Sequence, residues 1–208
     1  MAVASLSKFT VPLSNSQSAD TQGLLMPKLK YRFRATFTGF GVGTSAETNE
    51  LTKQVVDIKR PNVNFNPITI DVYNSKVFLQ GKPEWQETTV NLRDDSTGKV
   101  SKMVGEQIQK QFDFLEQASA ISGINYKFQM AFEVLDGGNG NTTPTVLEAW
   151  ELTGCFLSSV DYGDMAYNSN DPAQIALNIK FDNAVQTAGV SATRKVSDQL
   201  PVSGETVN

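Results

Sequence analysis

Apolar and polar side chains alternate along several stretches of the chain, and this pattern is typical of β-strands with one buried face. Between Tyr126 and Val134, for example, every second residue is a large apolar one. The alternation predicts these strands: Leu29–Phe37, Leu51–Arg60, Ile68–Phe78, Trp85–Arg93, Tyr126–Val134, Val146–Val160 and Ile175–Phe181. Strict alternation favours antiparallel sheets, because parallel strands are buried on both faces.

One segment has the spacing of an amphipathic helix. Apolar residues recur at helical intervals from Val100 to Ala118, and charged or amide side chains take the opposite face. Asp94 and Asp95 lie at its start, where negative charge suits the helix dipole. Ser122-Gly123 provides a stop signal. We therefore predict one long helix.

Polar and glycine-rich segments separate these elements. Thr38–Asn49 contains three glycines and is predicted to be a long loop, Gln80–Pro83 a turn, and Gly137–Asn141 a hairpin connection. The fold class expected is mainly β: an antiparallel β-sandwich or half-barrel with one packed helix. The predicted organisation is an N-terminal arm (1–28), a β domain (29–185) and a C-terminal tail (186–208).

Composition excludes several kinds of chemistry. The 208-residue chain has no histidine, so imidazole metal sites and histidine-based catalytic triads are excluded. Its formal charge of −4 disfavours tight nucleic-acid binding. Cys155, the only cysteine, cannot form an internal disulfide and is expected to be a buried small apolar residue. We expect no membrane span and no secretory signal, because no apolar run is long enough.

The remaining candidate sites have simpler interpretations. The glycines at 39, 41 and 43 precede a predicted loop rather than a helix and lack a Gly-Lys-Ser/Thr motif, so nucleotide binding is not expected. Asp161 and Asp164 flank a glycine and favour a turn. Asn141-Thr142-Thr143 matches a glycosylation acceptor, but nothing indicates secretion. We therefore expect no catalysis, cofactor or metal, and open sheet edges instead suggest self-association into a closed ring.

Five short segments, in order, resemble the tail tube proteins of contractile-tailed bacteriophages, which are related to the type VI secretion tube protein. The segments cover most of residues 29–185 and flank the predicted helix. They are Lys30–Phe37, Val56–Pro61, Tyr73–Trp85, Thr89–Asp95 and Ile175–Ala184.

The resemblance implies a structural subunit of the virion tail, assembled in the host cytoplasm. Hexameric rings joined through a continuous inner β-barrel would stack into a hollow tube inside a contractile sheath. The implied partners are other copies of the chain, the sheath protein, and baseplate and tail terminator proteins, with DNA passing through the lumen without specific binding. Two alternatives stay open: a tube of a type VI-like or bacteriocin injection machine, and a monomeric β-sandwich binding module.

Two groups of residues are candidates for these contacts. The long loop at Thr38–Asn49 is predicted to make the contact between stacked rings, because unusually long loops tend to be functional. Its candidate residues are Gly41, Gly43, Thr44, Glu47 and Asn49. Polar positions on the predicted barrel strands face either the lumen or the outer surface. These are Lys127, Gln129, Glu133, Asn178, Lys180 and Asp182.

Overall fold

The structure is a computed structural model that describes residues 27–42, 45–137 and 144–188, without the side chains of residues 45–47. The chain divides into two units, residues 1–32 and 33–208. In the first, the described residues contain a turn in which the Arg32 amide donates to the Leu29 carbonyl. The second unit contains eleven described strands and two described α-helices. The strands are β1 (Phe33–Thr38), β2 (Val55–Ile58), β3 (Val63–Val72), β4 (Ser75–Trp85), β5 (Thr88–Arg93), β6 (Phe112–Asp113), β7 (Ala118–Ser119), β8 (Phe128–Leu135), β9 (Val146–Asp161), β10 (Gln174–Lys180) and β11 (Asn183–Ala188). The helices are α1 (Ser45–Lys53) and α2 (Lys99–Gln111).

The long strand β9 belongs to two antiparallel sheets. Its first half pairs with β8 on one side and β11 on the other, and β8 also pairs with β1. Its second half pairs with β10, which continues to β5 and β2. We call β1-β8-β9-β11 the first sheet and β9-β10-β5-β2 the second sheet. Gly154, with φ of 68°, lies on β9 between the two halves.

A single apolar core fills the space between these sheets and the helices. Phe128 and Met130 of β8 point into it, and so do Ile175, Leu177 and Ile179 of β10. Helix α2 adds Val100, Met103 and Val104, as its helical spacing predicts. Phe128, Phe132, Leu177 and Phe181 are buried, and half-buried Trp85 packs on Phe181 with ring centroids 5.7 Å apart.

The strands of the two sheets were predicted well where alternation is strict, and the antiparallel fold is confirmed. Strands β8, β9 and β10 lie within two residues of their predicted bounds. The first strand begins at Phe33 rather than Leu29, and β11 continues to Ala188, beyond the predicted end of the β domain at residue 185. The predicted connection at 137–141 lies almost wholly outside the described residues, but the β8 and β9 strands that it joins do pair.

The prediction of a single strand over 68–78 was wrong. The chain forms a hairpin, β3 and β4, that reverses at Tyr73-Asn74. The predicted turn at Gln80–Pro83 is part of β4, where Gly81 lies so close to the Asn66 carbonyl that a side chain would collide with it. Strand β5 is a separate element starting at Thr88 rather than Trp85. The turn, Tyr73-Asn74, contains neither glycine nor proline, so the pattern alone does not reveal the reversal.

The predicted loop at 38–49 and the strand at 51–60 were also wrong in part. Helix α1 begins at Ser45, and only Val55–Ile58 is a strand. Leu51 is fully buried, but a single buried apolar residue gives no helical period to detect. Helix α2 ends at Gln111 rather than near Ala118, because Phe112–Asp113 turns back to pair with Ala118–Ser119.

Candidate assembly interface

Two backbone amides of the glycine turn after β1 are already bound to side chains of α2. A helix does follow this turn, contrary to the prediction, so the strand–turn–helix order of a nucleotide site is present. However, the Gly41 amide donates to the Gln107 Oε1 atom (2.9 Å), and the Val42 amide donates to Glu106 Oε2 (3.1 Å). The turn is thus tied to α2 by two side chains.

The other sequence candidates have structural roles. The Gly163 amide donates to Asp161 Oδ1 (2.9 Å), which closes the predicted turn. The Val100 amide donates to Asp95 Oδ1 (3.3 Å) at the start of α2, and the Thr97 hydroxyl is the main cause of the lowered pKa of Asp95. Among the described residues, no group of three or more acidic or cysteine side chains could hold a metal ion.

Cys155 is fully buried, as predicted. Burial raises the pKa of its thiol to about 12, and the Sγ atom lies 3.5 Å from the Leu152 carbonyl oxygen. A thiol nucleophile must ionise to react, so this one is inert at neutral pH.

The β3–β4 hairpin carries an apolar stripe that no other described element covers. Opposite residues of an antiparallel pair share a face, and Ile68 pairs with Leu79 and Ile70 with Val77. These side chains keep 42–54% of their surface exposed. Within the described residues the two strands pair only with each other. The stripe consists of Ile68, Ile70, Val72, Val77 and Leu79.

The opposite face of the hairpin is mixed. It carries exposed Phe78 beside Thr69, and an ion pair between Asp71 and Lys76 (3.6 Å). Sequence reasoning missed the hairpin as a surface because alternation normally signals a covered face. The sequence could have revealed this surface in one way. It contains more strands with an apolar face than the predicted layers of a single sandwich can cover.

A second apolar surface follows α2. Phe114, Leu115, Ile121 and Ile124 are exposed around the short β6–β7 pair. The Leu115 and Glu116 amides donate to Asp113 Oδ1, which holds the turn and lowers the pKa of the Asp113 carboxyl.

The structure separates the six candidate lumen or surface residues into three pairs. Gln129 and Glu133 lie on the outer face of the first sheet, where Glu133 binds Arg34 (2.6 Å). Lys127 and Asp182 form an ion pair (2.6 Å) beside Gly154.

The third pair, Asn178 and Lys180, lies on the outer face of the second sheet. There the Asn178 side chain accepts from the Thr89 hydroxyl and donates to the Ser159 hydroxyl, both at 2.8 Å. The six residues therefore lie on three separate surfaces of the subunit and do not share one face.

The candidate stacking residues are also divided. Gly41 is buried with φ of 62°, and a Cβ atom there would lie 3.2 Å from the Met103 carbonyl oxygen, so its role is in packing. Asn49 is exposed on α1. Gly43 and Thr44, and the side chain of Glu47, lie outside the described residues.

Neither described helix has the length and apolar content that a membrane span requires.

Sequence comparison gives no identification. No protein-family model matches the chain, and no curated protein resembles it significantly.

Solved structures share the fold at low sequence identity. A chain in the cryo-EM structure of the anti-feeding prophage tube terminating cap matches with a TM-score of 0.57 and 14% identity, over 84% of this chain and 99% of that one. A chain in the anti-feeding prophage baseplate matches with a TM-score of 0.56 and 10% identity, over 80% and 99%. A chain in the sheath-tube complex of the extracellular contractile injection system PVC matches with a TM-score of 0.53 and 13% identity, over 78% and 92%. The likeness to proteins of contractile injection systems that the sequence suggested is thus confirmed at the level of the fold.

Proposed function

We propose that the chain is the structural subunit of a tube in a contractile injection machine, assembled as stacked hexameric rings and without enzymatic activity. The observation that carries this proposal is the uncovered apolar stripe of the β3–β4 hairpin. The shared fold supports it, because the structures containing similar chains are a baseplate, a tube terminating cap and a sheath-tube complex.

The physical argument is that the hairpin needs a partner. An isolated two-stranded hairpin is marginally stable in water unless another layer covers its apolar face. Five half-exposed aliphatic side chains that become fully covered contribute about 1 kcal/mol each, or roughly 5 kcal/mol before the cost of association. Another copy of the chain would supply such a layer at every position along a tube.

The partners follow from this role. We propose that the tube contacts a surrounding sheath along its length, a baseplate at one end and a terminator at the other. In a phage tail, the tube would be part of the virion, and the genome would pass through its lumen.

The alternative is a tube of a type VI-like or bacteriocin injection machine that would carry protein. The fold shared with a chain of an extracellular contractile injection system supports this alternative. Nuclease-protected DNA in assembled particles would support the phage tail, and its absence from particles loaded with protein would support the alternative.

The α1 segment stays part of the proposal for ring stacking. Asn49 is exposed on it, and Gly43, Thr44 and Glu47 belong to the same stretch of sequence. Gly41 would act indirectly, by fixing the turn that leads into α1. Replacing residues 44–48 with a short Gly-Ser segment should leave rings intact and prevent filaments, and normal filament growth would contradict this role.

Electron microscopy of the purified full-length protein tests the function. We expect rings of uniform diameter that convert to hollow filaments as the concentration rises. A protein that stays monomeric at every concentration, as measured by sedimentation, would overturn the proposal and favour a monomeric binding module.

A further inference from the structure

The turn of the β3–β4 hairpin carries a tyrosine in an unfavourable backbone conformation. Tyr73 has φ of 46°, and its side chain is completely exposed. Two-residue hairpin turns use left-handed positions of this kind, and glycine, asparagine or aspartate normally occupies them, because larger side chains are strained there. Since the subunit itself gains no burial from this ring, the strain points to a contact with another molecule.

An open cavity of about 440 Å³ lies beside the end of α2. The rings of Phe112, Tyr126 and Phe156 line one part of it, and the polar side chains of Gln111 and Ser158 line another. Tyr126 and Phe156 meet edge to face, with ring centroids 6.3 Å apart. The volume lies within the range of pockets that bind small ligands, so the cavity has room for a phenol ring.

The lining of the cavity matches the chemistry of a tyrosine side chain. Aromatic rings pack well edge to face, and a buried phenol hydroxyl needs a hydrogen-bond partner. The Ser158 hydroxyl donates to Glu87 Oε1 (3.0 Å), so its oxygen can still accept from a phenol. The Gln111 side chain occupies the amide and the carbonyl of Leu157, which are therefore not available to an added strand. This site thus favours a side chain over a strand.

The cavity is continuous with the second apolar surface. Phe112 lines the cavity, and its ring packs on that of exposed Phe114 with centroids 5.1 Å apart. Leu115, Ile121 and Ile124 of the same surface keep 85–100% of their area exposed. The described residues therefore present two uncovered apolar surfaces, this one with its cavity and the stripe of the hairpin.

The hairpin supplies about as much apolar area as a stable contact between two copies needs. Tyr73 would bury roughly 200 Å² on entering a pocket. The stripe adds roughly 200 Å², because about half of each of its five aliphatic side chains is exposed. A stable interface buries about 800 Å² on each partner, of which roughly 450 Å² is non-polar.

We propose that Tyr73 of one copy inserts into the cavity beside α2 of a second copy, and that the stripe lies against the second apolar surface of that copy. This inference rests on the proposed function and identifies the surface that receives the hairpin. Because the two surfaces differ, the same contact can repeat from copy to copy around a ring or along a tube.

The variant Tyr73→Gly, made in the full-length protein, tests the role of the ring. Glycine adopts positive φ without strain, which offsets its greater freedom in the unfolded chain, so the melting temperature should change little. Tyrosines that fill pockets contribute strongly to binding, so the critical concentration in filament pelleting should rise about tenfold or more. The matched control is Tyr167→Gly, which removes another completely exposed ring and should leave that concentration within about twofold. Assembly of the Tyr73→Gly protein at the wild-type concentration would overturn the inference.

Photocrosslinking identifies the surface that receives the hairpin. Cys155 is buried and inert, so a cysteine introduced by Tyr73→Cys can be labelled selectively with a benzophenone maleimide. Labelled copies are assembled with a large excess of isotopically labelled wild-type protein and illuminated. We expect crosslinks between copies to residues 112–126 or 156–158. Crosslinks to other segments, or none, in particles that do form rings would overturn the inference and leave the tube function standing. Wild-type protein that forms neither rings nor filaments would overturn both proposals.

Discussion

Replacing two isoleucines of the hairpin stripe with threonine should weaken assembly without unfolding the subunit. Ile68 and Ile70 keep 54% and 42% of their surface exposed in a single copy. Threonine is β-branched like isoleucine and suits a strand, so we expect the subunit's melting temperature to change little. What the substitutions remove is apolar surface that only a neighbouring copy can cover.

The magnitude follows from the exposed fraction. Full burial of an isoleucine contributes roughly 1.5–3 kcal/mol, and about half of that remains to be gained in the assembly, or about 1 kcal/mol per side chain. The double variant therefore loses about 2 kcal/mol per contact. Since 1.4 kcal/mol corresponds to a factor of ten, the critical concentration for assembly should rise about 30-fold.

Pelleting of filaments over a concentration series measures this shift, and circular dichroism checks the fold of the soluble fraction. The matched control is Thr69→Ser, which removes one methyl group from the opposite face of the same hairpin and should leave the critical concentration within about twofold. If the double variant assembles at the wild-type concentration, the stripe is not a contact surface and the argument from its exposure fails.

Three further predictions concern the subunit itself. Gly154→Ala should destabilise the fold by about 1–3 kcal/mol in urea unfolding, because Gly154 has φ of 68° and a Cβ there would collide with the Asp182 carboxylate; unchanged stability would show that β9 tolerates the strain. Gln107→Leu should cost roughly 2–4 kcal/mol, because the Gly41 amide and the Tyr126 carbonyl both lose their partner; a melting temperature equal to that of the wild type would contradict this. Cys155 should resist thiol reagents at about pH 8 until the protein unfolds. Burial raises the pKa of the Cys155 thiol to about 12, so the folded state keeps a proton that the unfolded state loses above about pH 9. The free energy of unfolding should therefore fall as the pH rises from about 9 towards 12. Cys155→Ala should remove this part of the pH dependence.

Strict alternation was sufficient to predict the strands that build the core. In β8 and β10 the alternating large apolar residues, from Phe128 to Val134 and from Ile175 to Ile179, are buried, because the covering layer is part of the same chain. Alternation was not sufficient at the hairpin, because no layer within the described residues covers its stripe. It was not sufficient at α1 either, because Leu51 is the only buried residue among the α1 side chains that the structure describes.

The candidate surface residues could not be assigned to a face from spacing alone. Gln129 and Asn178 have the same pattern of neighbours in the sequence but lie on different sheets. What separates them is pairing between distant strands, which one sequence does not display. The Gln111 side chain binds the backbone amide and carbonyl of Leu157. The sequence does not display this contact either, because the two residues are 46 positions apart.

The order of the strands also decides which surface of the subunit forms first during synthesis. Strand β11 follows every other described strand in the chain and needs β9 as its pairing partner. During synthesis β11 therefore leaves the ribosome after the other described strands. The first sheet is complete only when β11 has paired with β9. A nascent chain that still lacks this strand therefore already exposes the β3–β4 stripe before its first sheet is complete, so the stripes of neighbouring chains on one polysome can meet before either subunit has finished folding.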